Sequence, residues 1–172
     1  RTINPRGRVP ALDFGEQRML TESVAIISHL AERFPDAGIL PPAGSVSRAR
    51  CMEWMCYLNT SVMATMGAIF RSERYTDEEA VSAGIKGFGK TRFEAFVKEI
   101  DTLLSELQEA HDFVAPEGFS AADAYLVYIY RSAWRAGIDL APCRRWTRHA
   151  EAVAEVPAAA RALATEGISI HP

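Results

Sequence analysis

The chain has 172 residues, with 19 Lys and Arg against 22 Asp and Glu and a formal charge of −3. A polyanion partner needs a clustered cationic surface, so this balance argues against nucleic acid. With 48% hydrophobic and 24% charged residues, the composition suits one globular domain, or two small ones sharing a core. It indicates neither disorder nor an apolar run of the ~20 residues that span a bilayer.

Residues 1–20 are the only stretch that reads as strand. Val9 to Phe14 is short and apolar and carries Pro10; Asp13-Phe14-Gly15-Glu16 supplies turn chemistry; Gln17 to Leu20 returns as a second strand. A lone hairpin is marginal in water, so these strands call for partner strands that the sequence does not contain. From residue 22 the chain reads as helix, with Val24, Ile27, Leu30 and Phe34 at helical spacing, Thr21 or Ser23 as cap and Pro35 as stop. The proline- and glycine-rich stretch that follows is the candidate interdomain linker. Residues 47–71 form a Met- and aromatic-rich helical pattern, and residues 72–87 read as a polar, glycine-containing loop. A second pattern covers 91–111 and breaks at Pro116-Glu117-Gly118. Further helices are expected from near Ser120 to Gly137, over about 143–154, and from Pro157 to Gly167. In the first of these, Tyr125, Leu126, Ile129 and Ala133 face the core.

Two constellations carry chemistry. Pro10 cannot donate to a strand ladder and so marks an edge or a special backbone site. Its plain reading is a trans proline opening an edge strand. In the alternative, a cis Val9–Pro10 bond turns the Val9 N–H and C=O outward, where an extended peptide can pair with them. Next, Thr21-Glu22-Ser23 opens a helix whose free N–H groups favour an anion. Ser23 can add a hydrogen bond to a carboxylate, and Glu22 can hold an ammonium close by. Together they suit an α-amino-acid head group, against the plain reading of helix capping. The closeness of the two features in sequence favours the functional reading.

Asn4-Pro5-Arg6-Gly7-Arg8-Val9-Pro10-Ala11-Leu12, followed by Leu20-Thr21-Glu22-Ser23-Val24-Ala25-Ile26, resembles the glutathione transferase family, most of all its bacterial beta class. Ser47-Arg48 leading into Glu53-Trp54-Met55-Cys56-Tyr57-Leu58 is similar, as is Gly118-Phe119-Ser120-Ala121-Ala122-Asp123-Ala124-Tyr125-Leu126. The resemblance covers essentially the whole chain. It implies an α/β N-terminal part, a β-hairpin plus helix forming the second half of a thioredoxin-like domain over residues 1–36. A linker at 37–46 and an all-α helical-bundle domain at 47–172 follow. On that template the first βαβ part and its following helix would be absent, and with them the Ser, Tyr or Cys that activates the thiol.

What the resemblance implies for Val9 is main-chain pairing with the cysteinyl part of glutathione beside a cis Pro10, and for Glu22 and Ser23 binding of the γ-glutamyl head. Arg6 or Arg8 would meet the glycyl carboxylate. Along the helix at 47–71, Cys56, Thr60 and Met63 stand where beta-class members place a polar, histidine-containing set. This departure suits an apolar second substrate, because a thioether adapts to varied shapes. The implied activity is transfer of the glutathione thiolate to a small electrophile in a homodimer. The alternatives are a noncatalytic binding or scaffold protein and a glutathione-dependent reductase or dehalogenase.

Ser120 and Asp123 are read as a structural capping box. Cys51, Cys56 and Cys143 form no C-x-x-C and are expected to be buried, inert thiols in a reducing cytosol; the chain opens Arg1-Thr2-Ile3 with no signal-peptide pattern expected. His29, His111, His149 and His171 have no metal-ligand spacing, so no metal is expected. Arg144, Arg145 and Arg148 read as a solvated basic patch.

Overall fold

A computed structural model describes residues 4–16, 18–107 and 111–170. Strands β1 (Ala11–Asp13) and β2 (Met19–Thr21) pair antiparallel, with Ala11 opposite Thr21 and Leu12 opposite Leu20. The turn is held by Asp13 Oδ1, which accepts from the Gly15 N–H at 2.8 Å. Gly15 takes φ 77°, a conformation that costs a glycine nothing. The first strand is shorter than the sequence pattern because the chain bends at Val9 and Pro10. Gln17, expected to open the second strand, lies outside the described residues.

Helix α1 (Ser23–Arg33) ends at Pro35, as a residue without a donor requires. A 3-10 turn (Pro35–Ala37) and a segment of bends and a turn lead to α2 (Val46–Tyr57), where Ser45 Oγ caps the Arg48 N–H at 3.1 Å. The helix expected over 47–71 is broken in register: a π turn (Leu58–Val62) separates α2 from α3 (Met63–Phe70). That extra residue keeps Leu58, Val62 and Met66 all buried on one side.

The loop expected at 72–87 is largely helix. A 3-10 turn at Ser72–Arg74 is followed by α4 (Glu79–Glu106), 28 residues long. Gly84, Gly87 and Gly89 weaken its first half on propensity alone, and packing overrides that. A Cβ on Gly89 would stand 2.9 Å from Ala68 Cβ and 3.1 Å from Ile69 Cγ1, so the glycine lets α4 cross α3 closely. At the other end, Gln108, Glu109 and Ala110, expected to continue the helix to 111, lie outside the described residues. Helices α5 (Ala121–Arg135), α6 (Arg144–Glu155) and α7 (Pro157–Glu166) complete the bundle. Its core joins Met55, Phe93, Ile100, Leu104, Leu126, Ile129 and Trp146, all 0% exposed, from α2, α4, α5 and α6. The architecture is that of a helical domain carrying a small hairpin-plus-helix unit at its N-terminal side.

The start of α5 is set by a buried carboxylate. Asp123, 0% exposed, accepts through Oδ2 from the Ser120 N–H at 2.8 Å and the Ser120 hydroxyl at 2.9 Å. Through Oδ1 it accepts from the Val114 N–H at 2.8 Å and from His149 Nε2 at 2.9 Å. The capping box is thus joined to α6, a connection that the local motif does not contain. Cys51 of α2 lies 3.5 Å from the Ser120 hydroxyl. Phe119 stacks edge-on against Phe113, with 6.1 Å between ring centroids.

Helices α4 and α6 cap each other. Asp101 of α4 accepts from the Trp146 N–H at 2.8 Å, in the first turn of α6. Arg145 of α6 donates to the carbonyls of Leu104 at 3.1 Å and His111 at 2.6 Å. The expected solvated basic patch holds at Arg144 and Arg148, both exposed, with Arg148 paired to Asp112 at 2.9 Å, and is corrected at Arg145, which is drawn inward by the Leu104 and His111 carbonyls. Among the described residues no helix is long and apolar enough to cross a membrane.

Two outcomes follow for urea unfolding. Gly89→Ala lowers stability by about 1–3 kcal/mol through overpacking, whereas Gly84→Ala, with open space at its Cβ, is neutral or stabilising by up to about 1 kcal/mol. Asp123→Ala strands the Val114, Ser120 and His149 donors and costs at least about 3 kcal/mol. It changes ligand affinity far less, and an unchanged unfolding midpoint would contradict its structural role.

Candidate functional site

The antiparallel register ends with Ala11 opposite Thr21. On one strand Val9 and Pro10 directly precede Ala11, and on the other Thr21 runs straight into Glu22, the N-cap of α1, and Ser23, its first residue. The Val9–Pro10 peptide bond is cis. Val9 is 88% exposed, and among the described residues no hydrogen bond engages its main chain. Arg6 and Arg8 are exposed nearby, and the Arg8 carbonyl accepts from the Asn4 amide at 2.7 Å.

Across from this edge, the cap of α1 differs from the expected Thr21 or Ser23 hydroxyl. Glu22 occupies the N-cap at φ 72° and ψ 115°, and no side chain caps the helix. A non-glycine residue at this φ is strained, and such strain persists where the surroundings over-determine it. The first α-helical bond of α1 runs from the Ile26 N–H to the Glu22 carbonyl at 3.0 Å. The N–H groups of Ser23, Val24 and Ala25 precede it, and no acidic side chain lies in the first turn to compete for them. The helix dipole adds partial positive charge at the same place. The Glu22 carboxylate is exposed beside it. A zwitterionic head group, carboxylate on the N–H groups and ammonium toward Glu22, matches this pairing of charges.

Ser23 is half-buried, and its hydroxyl accepts a hydrogen bond from the Tyr125 hydroxyl of α5. Sequence reading set Tyr125 toward the core and missed this bond. With the partners 102 positions apart, no local pattern signals it. The unit is further held to the helical domain by Ser28 Oγ on Met52 Sδ at 3.5 Å and by Arg48, which donates to the Pro41 carbonyl at 3.3 Å and faces Glu32 at 3.7 Å.

Cys56, Thr60 and Met63 fall around the π turn. Cys56 and Thr60 are exposed, Met63 is half-buried against the core, and Thr60 Oγ1 donates back to the Cys56 carbonyl at 2.9 Å. Among the described residues, clefts of 350, 470, 490 and 510 Å³ indent the surface, and these three residues line none of those. The expectation that all three thiols are buried is corrected at Cys56, which points outward from α2. Cys51 and Cys143 are buried, and burial pushes both thiols above their ordinary range. Of the histidines, His149 is 1% exposed on Asp123, and His171 lies outside the described residues. Among the described residues no group of three or more His, Cys, Asp or Glu is arranged to hold a metal ion.

Comparison with known proteins bears on this geometry. The model of the glutathione S-transferase N-terminal domain matches residues 1–38. Glutathione S-transferase GstA of Escherichia coli O157:H7 is 31% identical over 166 residues, which cover 96% of this chain and 77% of that protein. Among solved structures, a beta-class glutathione S-transferase of Sphingomonas chungbukensis superposes with a TM-score of 0.80 at 26% identity, over 98% of this chain and 78% of the other. A sphingomonad glutathione S-transferase complexed with glutathione gives a TM-score of 0.80 at 28% identity, over the same shares of the two chains. The fold is accordingly that of a thioredoxin-like N-terminal unit joined to a helical domain, and the chain belongs to the glutathione S-transferase family.

Proposed function

We propose that the protein binds glutathione along the Val9 edge and at the start of α1, and transfers its thiolate to a small apolar electrophile. The observation that carries the reading is the exposed main chain of Val9, without a hydrogen-bond partner among the described residues, together with a helix N-terminus that has Glu22 at its cap. An extended peptide pairs with the Val9 N–H and C=O. The γ-glutamyl carboxylate lies on the N–H groups of α1 with the Ser23 hydroxyl, and its ammonium faces Glu22. That geometry fixes the tripeptide at both the main chain and the head, so its sulfur is held in one place. The thiol gives its proton to solvent, and the thiolate forms the new C–S bond as the leaving group departs from the electrophilic carbon with the pair of the bond that breaks. No side chain of this sequence is assigned to lowering the thiol pKa.

In this reading residues 1–36 form the glutathione-binding unit, 37–46 the linker and 47–172 the helical domain. Cys56, Thr60 and Met63 border the second-substrate side, and Met63 favours an apolar electrophile. Isomerisation is the second reading, because a probable maleylacetoacetate isomerase of Caenorhabditis elegans is 30% identical over 158 residues. A diacid substrate needs cations facing its carboxylates, and Cys56, Thr60 and Met63 carry none, which favours conjugation. A homodimer packed through helical-domain faces and residence in the cytoplasm complete the proposal.

Titration calorimetry with glutathione tests the head-group assignment. Glu22→Ala weakens binding roughly tenfold, the effect of losing one charge-assisted contact at an exposed site; retained affinity would remove Glu22 from the site. Glu22→Gly loses the same affinity yet does not lower the unfolding midpoint, because glycine accepts φ 72° without strain. For the second-substrate side, brief iodoacetamide treatment at neutral pH with peptide mass mapping labels Cys56 in the folded protein. Cys51 and Cys143, buried and with thiols held protonated by burial, react only after denaturation.

A further inference from the structure

We infer that Tyr125, on α5, is a positioning residue for the γ-glutamyl head of glutathione: its hydroxyl donates to Ser23 Oγ and aims the Ser23 proton at the ligand carboxylate. The inference rests on the glutathione reading above and deepens it by naming what orients Ser23.

A serine hydroxyl has one proton and two acceptor positions, and its rotor is free unless something fixes it. At the start of α1 the Tyr125 hydroxyl occupies one acceptor position of Ser23. The proton of Ser23 is then left to a different partner. A hydroxyl that accepts a hydrogen bond also becomes a better donor, because the two bonds polarise each other. No side chain caps α1 and no acid lies in its first turn, so no protein carboxylate takes that proton within the turn. A carboxylate bound there receives the Ser23 O–H together with the backbone N–H groups.

The placement of Tyr125 is itself fixed. It stands two residues after Asp123, whose buried carboxylate sets the first turn of α5, and its ring packs against the hydrophobic core. The hydroxyl alone reaches out of the core to α1. The helical domain thereby contributes an oriented donor, through Ser23, to a site otherwise built from residues 9 to 25.

A purely structural pin between α5 and α1 would change stability without regard to which part of the ligand is present. The test is therefore a double-mutant cycle read by calorimetry with two probes, glutathione and its analogue lacking the γ-glutamyl α-carboxylate. Tyr125→Phe, which keeps the ring, weakens glutathione roughly fivefold to tenfold, the worth of one hydrogen bond between neutral groups. Ser23→Ala weakens it at least as much, and the double variant is no weaker than Ser23→Ala alone. For the decarboxylated analogue, Tyr125→Phe and the unsubstituted protein bind equally. Equal glutathione affinity of Tyr125→Phe and the unsubstituted protein overturns the inference. So does an equal loss for both probes, or additive effects in the double variant. Failure of the unsubstituted protein to bind glutathione would instead sink the glutathione reading and this inference with it. Unfolding midpoints of the three variants, measured alongside, verify that each is folded when titrated.

Discussion

The carboxylate of Asp123 is the constraint on which the arrangement depends. It is wholly buried, and it satisfies the Ser120 and Val114 main-chain donors together with His149. Burying a carboxylate is costly unless its oxygens are filled with donors. Here the donors come from the start of α5, the segment before it and α6, so the charge can be buried only when those three pieces are assembled. Cys51 on the Ser120 hydroxyl brings α2 to the same point. The network sits where the amino end of α5 meets the core, and Tyr125, one turn into α5, is the residue that reaches α1.

This explains how a helical bundle can influence a site formed largely by a hairpin and a short helix. The hairpin is only three residue pairs long, and isolated two-stranded sheets are marginal. Side-chain contacts with the bundle hold α1: Tyr125 on Ser23, Met52 on Ser28, and Arg48 on Glu32. The strained backbone at Glu22 lies between the hairpin and these contacts. A residue at positive φ stays there only if both flanks are fixed, and β2 and α1 supply the two flanks.

Much of this was legible in the sequence, and the omissions share a cause. The capping box at Ser120 and Asp123 was readable because its partners are three residues apart and their types name their roles. The end of α1 at Pro35, the opening of α7 at Pro157 and the αL residue Gly167 were readable because proline and glycine act on the backbone locally. The first half of α4 was not. Its glycines look like loop chemistry, and the reason for Gly89 lies on α3 rather than in its own neighbourhood. His149 on Asp123, Arg145 on the end of α4, and Tyr125 on Ser23 were missed because each joins residues far apart in sequence. At the candidate site, Val9, Pro10, Glu22 and Ser23 were singled out by type and spacing. The tyrosine behind Ser23 became visible only when α5 was folded against α1.

The reciprocal bonding of α4 and α6 has a consequence for how the bundle comes apart. Asp101 satisfies an amide at the head of α6, while Arg145 satisfies the Leu104 carbonyl at the tail of α4 and the His111 carbonyl beyond it. Helix ends ordinarily fray singly because each can turn to water on its own. Here loosening either end withdraws the group that seals the other, so the two termini open as one cooperative unit. That seam is a joint in the molecule's hierarchy of local unfolding, set apart from the hairpin and α1, whose ties to the bundle run through other residues.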